Sequence, residues 1–170
     1  MAGQLVQVAT NTVTSAVASV ELTGINTDDV YMVSYDNWKC ATDTQQNRLR
    51  ITKGGSADVT ANYDFASKMM YGSTSFFNNA QVNLTFVGQD NIGTGTGEAS
   101  NGILYLYNFN SSSEYSFLTQ EEVNWSHNPR LTGIAGGIVH TVASASDGIQ
   151  FFMGSGNITA GTFTLYKVVS

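Results

Sequence analysis

The sequence predicts an all-β chain: an antiparallel β-sandwich, jelly-roll-like, of about ten short strands. Three observations predict it. Apolar residues alternate with polar ones at a period of two over many short stretches. Turn-forming clusters of Gly, Ser and Asn separate those stretches. Helical periodicity is nearly absent. At 170 residues the chain fits one domain, read as an N-terminal arm over residues 1–12 followed by a single sandwich over 13–170.

The elements follow in order. The uncharged start contains a strand at 4–9, where Gln4 and Val6 are candidates for lying along a neighbouring subunit as an added strand. In 16–22, Ala16, Ala18, Val20 and Leu22 share one face, with Val17, Ser19 and Glu21 opposite. A strand at 30–35 follows. In 48–52, Leu49 and Ile51 point inward while Arg48, Arg50 and Thr52 point out. Residues 61–71 are the best helical candidate, with Tyr63, Phe65, Ala66, Met69 and Met70 able to share a face. Tyr and Phe suit strands equally, Gly72 closes the run, and it reads as strand or extended. In 81–87, Val82, Leu84 and Phe86 alternate with Gln81, Asn83 and Thr85. Residues 103–109 and 149–153 are apolar or aromatic on both faces, which predicts cover on both sides by another layer or a partner subunit. Further strands are expected at 116–119, 138–143 and 162–169. The last third, from Thr141 to Val169, is strand, turn and strand written almost without charge.

Only 12% of residues are charged, against a typical ~25%. Ser, Thr, Asn, Gln and Gly take their place. Such a surface suits contact with another protein, because a hydroxyl or amide that finds a partner is cheaper to desolvate than an ammonium. Seven Lys and Arg with a net charge of −6 leave no cationic cluster for nucleic acid, and anionic membranes are disfavoured on the same ground. No apolar run approaches the ~20 residues of a membrane span, and the start lacks the charge and apolar pattern of a signal peptide. The expectation is synthesis in a cytoplasm, with no membrane insertion.

Chemistry is sought and not found. Asp28, Asp29, Asp36 and Asp43 lack the spacing of a calcium loop and read as loop acids. His127, His140 and the single Cys40 make no zinc set. His140 alternates with Ile138 and Val142 and reads as a hydrogen-bonded structural residue. No Gly-x-Ser-x-Gly elbow is present. Glu121 and Glu122 are adjacent, face opposite ways on a strand, and read as a solvent-facing pair, not a hydrolytic dyad. Gly93–Gly97 lacks the Lys-Ser/Thr of a phosphate loop and reads as a strand connection. The sequons at Asn83, Asn110, Asn124 and Asn157 are expected by chance in so Asn-rich a chain. Catalytic residues, cofactors and metals are all expected to be none. What remains is aromatic. Trp38 and Trp125 sit among polar neighbours in loop-like contexts, where a Trp anchors an interface, stacks on a sugar or folds over the sandwich end. Tyr105 and Tyr107, with Tyr31 and Tyr35, read as sheet-face or intersheet residues; the first two lie in the run expected to pack a second sheet or subunit.

The stretch Val142-Ala143-Ser144-Ala145-Ser146-Asp147-Gly148-Ile149-Gln150-Phe151-Phe152, then Ser155-Gly156-Asn157-Ile158-Thr159-Ala160-Gly161-Thr162-Phe163-Thr164-Leu165-Tyr166, resembles small virion proteins of tailed marine bacteriophages, including those of cyanobacteria. The resemblance extends to Leu22-Thr23-Gly24-Ile25, Gly55-Ser56-Ala57-Asp58 and the run from Gly102 to Phe109; Lys167 departs from it, standing where a small residue is expected. It implies a β-sandwich present in many copies on a particle, without catalytic residues. A compact unit with no stalk then suggests a capsid decoration or cement protein, bound to the major capsid protein on the outer head surface as a homo-oligomer, a trimer by analogy with icosahedral sites. The alternative is a tail fibre, knob or baseplate component that binds host glycan through Trp38 and Trp125. A free glycan hydrolase or lyase on a β-sandwich is the third reading.

Overall fold

The computed structural model describes residues 3–169. Among the described residues the chain forms thirteen antiparallel strands and no helix. They are β1 (Gln4–Val13), β2 (Ser19–Thr23), β3 (Tyr31–Cys40), β4 (Gln45–Lys53), β5 (Ser56–Ala57), β6 (Tyr63–Tyr71), β7 (Phe76–Leu84), β8 (Val87–Ile92), β9 (Ser100–Tyr107), β10 (Ser116–Ser126), β11 (Arg130–His140), β12 (Gly148–Met153) and β13 (Ile158–Val169). Eight make one sheet in the order β1-β13-β3-β9-β10-β11-β6-β7. The other five make a smaller sheet, β2-β12-β4-β5, with β8 also paired to β4. The expected antiparallel sandwich is therefore what the chain builds, with more strands than the ten expected and with layers of unequal width.

Side chains from both layers form one core. Val20, Leu22, Leu49, Ile51, Ile149 and Phe151 of the small sheet meet Val33, Leu104, Leu106, Phe163 and Leu165 of the large one. The expected alternation holds at Val20, Leu22, Leu49 and Ile51, all buried. Thr52, expected to face out, is buried and donates its hydroxyl to Asp147 Oδ1 at 2.6 Å. The helical candidate at 61–71 is β6. The single strand expected at 81–87 is two: β7 ends at Leu84, a bend follows, and β8 continues in the other sheet. Val82 is exposed as a result, not inward. The expected departure at Lys167 leaves β13 intact, and its ammonium pairs with Asp29 at 2.6 Å.

The N-terminal arm is also corrected. Residues 4–13 do not stand apart from the sandwich; they pair along β13 of the same chain, from Gln4 opposite Val169 to Val13 opposite Gly161. Thr10 and Thr164 hydroxyls meet at 2.9 Å across this ladder. Only the other edge of β1 is unpaired, so it is an edge strand whose Leu5, Val6 and Val8 are exposed.

Candidate functional site

The two outer surfaces of the sandwich differ sharply. The small sheet presents a wet ladder in which Glu21, Gln150 and Arg50 lie in register. Gln150 Nε2 donates to Glu21 Oε1 at 2.7 Å. Its aromatics are capped by cations, Arg48 over Phe86 and Arg50 over Phe152, at 4.1 and 4.4 Å from the ring centres.

The large sheet presents more apolar surface, with one ring, Phe76, under the Lys68 ammonium at 4.9 Å. On β10 burial alternates strictly, with Ser116, Leu118, Gln120, Glu122, Asn124 and Ser126 inward and Phe117, Thr119, Glu121, Val123 and Trp125 outward. The apolar stripe of that strand faces solvent. Register carries the outward row across neighbouring strands to Ile103 and Tyr105 of β9, Leu131 of β11, Met70 of β6 and Phe76 of β7. All of these large side chains are 38–66% exposed. Between them β11 offers almost no side chain: Gly133, Ala135 and Gly137 form the floor of a shallow groove walled by Met70, Ile103 and Val123 at one end and by Val82 and Phe117 at the other. Isolated exposed apolar residues are ordinary; here they gather over five strands, with Glu121, Lys68 and Asn78 set among them.

The sequence candidates divide on this geometry. Trp125 lies on the outward face at 43% exposure, inside β10 and not in a loop. Tyr105 shares that surface but lies opposite Thr119, well along β10 from Trp125, and is 41% exposed; Tyr107, partly buried, is in register with Phe117. Gln4 and Val6 lie apart, exposed on the free edge strand. Trp38 is a correction: it is 1% exposed in the core, with ring centres of Tyr35, Phe151 and Phe163 at 5.6, 5.5 and 5.5 Å in edge-on contact. The cause is a bulge. Strict alternation after Tyr35 would point Trp38 outward. Asn37 adopts a left-handed conformation (φ 53°), its amide donates to Asn101 Oδ1, and the register with β9 shifts between Tyr35 and Trp38. The extra residue turns the indole inward. The cover expected on both sides of 103–109 is likewise present on one side only: Leu104 and Leu106 are fully buried, whereas Ile103 and Tyr105 are open in the single chain.

Ionisable groups are held in structural roles. Glu122 does not form a solvent-facing pair with Glu121; it is 5% exposed and accepts from Tyr35 Oη at 2.7 Å, Asn124 Nδ2 at 3.0 Å and Asn47 Nδ2 at 3.2 Å. Burial pushes its carboxyl above the usual range against the pull of these donors. Burial, and then the carboxyl itself, push the Tyr35 phenol well up. Beside this group Gln89 and Gln120 pair their buried amides. The sandwich thus has a polar seam under β10, and sequence reasoning missed it because the seam residues are the polar half of an inverted alternation. His140 is fully buried against the Tyr63 ring, ring centres 4.8 Å apart, and its Nε2 lies 3.3 Å from Asp58 Oδ2 but off line for a hydrogen bond. Burial raises the Asp58 carboxyl, yet hydrogen bonds from Thr60 and the Lys53 ammonium at 3.0 Å outweigh it and hold it down to about 2. Burial lowers His140. The Cys40 thiol is buried against the carbonyls of Ile92 and Gly93. Among the described residues, no group of three or more His, Cys, Asp or Glu is placed to hold a metal ion. The open area of the large sheet is largely apolar.

The sequence matches no protein-family model and no curated protein.

Proposed function

We propose that the protein is a bacteriophage virion structural protein that decorates the capsid, docking on the outer head surface and bridging major capsid subunits. The observation that carries this reading is that the large sheet, whose β7 edge is also unpaired, has two unpartnered surfaces set well apart. One is the apolar outer face centred on β10 and β11. The other is the free edge of β1, where Gln4 and Val6 lie. Five strand spacings separate β1 from β11, roughly 24 Å at about 4.8 Å each. A protein that cements a shell needs at least two attachments, because engagement at one raises the effective concentration at the other. The edge suits an added strand from a shell subunit, and the face suits side-chain packing.

The alternative, a tail component reading host glycan with Trp38 and Trp125, loses one of its two stacking residues to the core. The decoration reading predicts many copies. Quantitative gels of purified particles should give this chain in the hundreds per virion, in fixed ratio to the major capsid protein. A handful of copies would overturn the decorating role and favour the tail.

A further inference from the structure

We infer that the occupant of the apolar outer face is a second copy of this chain, related by a twofold axis running close to β11. The inference rests on reading that face as protein-covered, and it names the partner. Three rows of the sheet decide it. In the first, Ala135 of β11 stands between Glu121 of β10 and Lys68 of β6, both exposed and, among the described residues, in no ion pair, the Lys68 ammonium lying over the Phe76 ring 4.9 Å from its centre. A twofold along β11 lays β10 of one copy over β6 of the other, so Glu121 meets Lys68 twice. A twofold across the strands at the same point would set Glu121 on Glu121 and Lys68 on Lys68. Charge complementarity therefore selects one axis and rejects the other.

The flanking rows agree. Around Gly133, Val123 of one copy comes over Met70 of the other, apolar on apolar. Around Gly137, Thr119 comes over Ala66, and one strand further out Tyr105 of β9 comes over Ala80 of β7, a large ring above a small residue. The axis passes over the strand with the least side chain, which is where two sheets can approach most closely. A small inclination of the axis to β11 gives the ~30° between strand directions at which sheets pack face to face. Five strands by nine residues cover about 24 Å by about 30 Å, roughly 700 Å². That is close to the roughly 800 Å² each partner contributes to a stable interface. The dimer, in place of the trimer suggested by icosahedral sites, leaves two β1 edges free to reach two shell subunits.

The test is sedimentation equilibrium of the full chain. The native protein should dimerise. Glu121→Lys alone, or Lys68→Glu alone, should weaken the dimer about 100-fold, roughly tenfold for each of two like-charged contacts. Both residues are exposed, so circular dichroism of either variant should match the native protein. The double reversal, E121K with K68E, should restore most of the affinity. A native protein that stays monomeric at high concentration would overturn the inference, as would single reversals without effect or a double reversal that restores nothing. If the monomer were found and the face proved protected on particles, the second copy would be wrong and the decorating role would stand, with capsid protein on the face.

Discussion

Trp38→Ala should destabilise the fold by about 3–5 kcal/mol, the range for deleting a buried Trp side chain. In urea unfolding this appears as a midpoint shifted far to lower denaturant with little change in slope. The indole is enclosed by Tyr35, Phe151 and Phe163, and Gly161 packs against its backbone at φ 144°, where a Cβ would stand 3.2 Å from the Trp38 Cα. Trp125→Ala is the contrast. Its ring lies on the outer face opposite Leu131 and should cost no more than about 1 kcal/mol in the isolated chain. Equal effects from the two substitutions would contradict the inward turn of Trp38.

The second large effect belongs to Glu122. Replacing it with alanine strands the Tyr35 hydroxyl and the Asn124 amide in the core and leaves the Asn47 amide only Ser100 as acceptor, and should cost about 2–5 kcal/mol from two unpaired donors at roughly 1–3 kcal/mol each. Glu122→Gln keeps an acceptor of the same shape and should cost about 1 kcal/mol or less near neutral pH. The two variants also separate charge from shape. Burial holds the native carboxyl above its usual range, so the folded state keeps a proton that the unfolded chain releases near pH 4.3. That contribution is complete below the unfolded value and is lost as pH rises toward the folded one, at a limiting slope of about 1.4 kcal/mol per pH unit. Glutamine has no proton to lose, so the slope should flatten in that variant. A Gln variant as unstable as the Ala variant, or one with the native slope, would contradict this account of the seam.

Much of the fold was legible because strands of the small sheet obey simple alternation. Val20, Leu22, Leu49 and Ile51 are inward where period two puts them. The candidate site was less legible, for three physical reasons. A bulge at Asn37 reverses the phase for Trp38, and the signal available was the asparagine, which tolerates the left-handed region. On β10 the core side is mostly polar and the outer side mostly apolar, so Glu122 reads as surface when it is buried, and Trp125 reads as a loop residue when it lies on an outward strand face. The bend at Thr85 and Phe86 moves the chain between sheets within an unbroken alternation, and no local composition marks it. An inverted strand of this kind leaves its apolar side chains exposed on the single chain.

The most direct measurement is hydroxyl-radical footprinting read by mass spectrometry, comparing dilute protein with protein assembled on particles. Phe117, Trp125 and Met70 should be oxidised readily when dilute and strongly protected when assembled, while Trp38 stays protected in both states. Outer-face residues that remain equally reactive on the particle would show that this surface is left open to water, and the account of it as a contact face would be wrong.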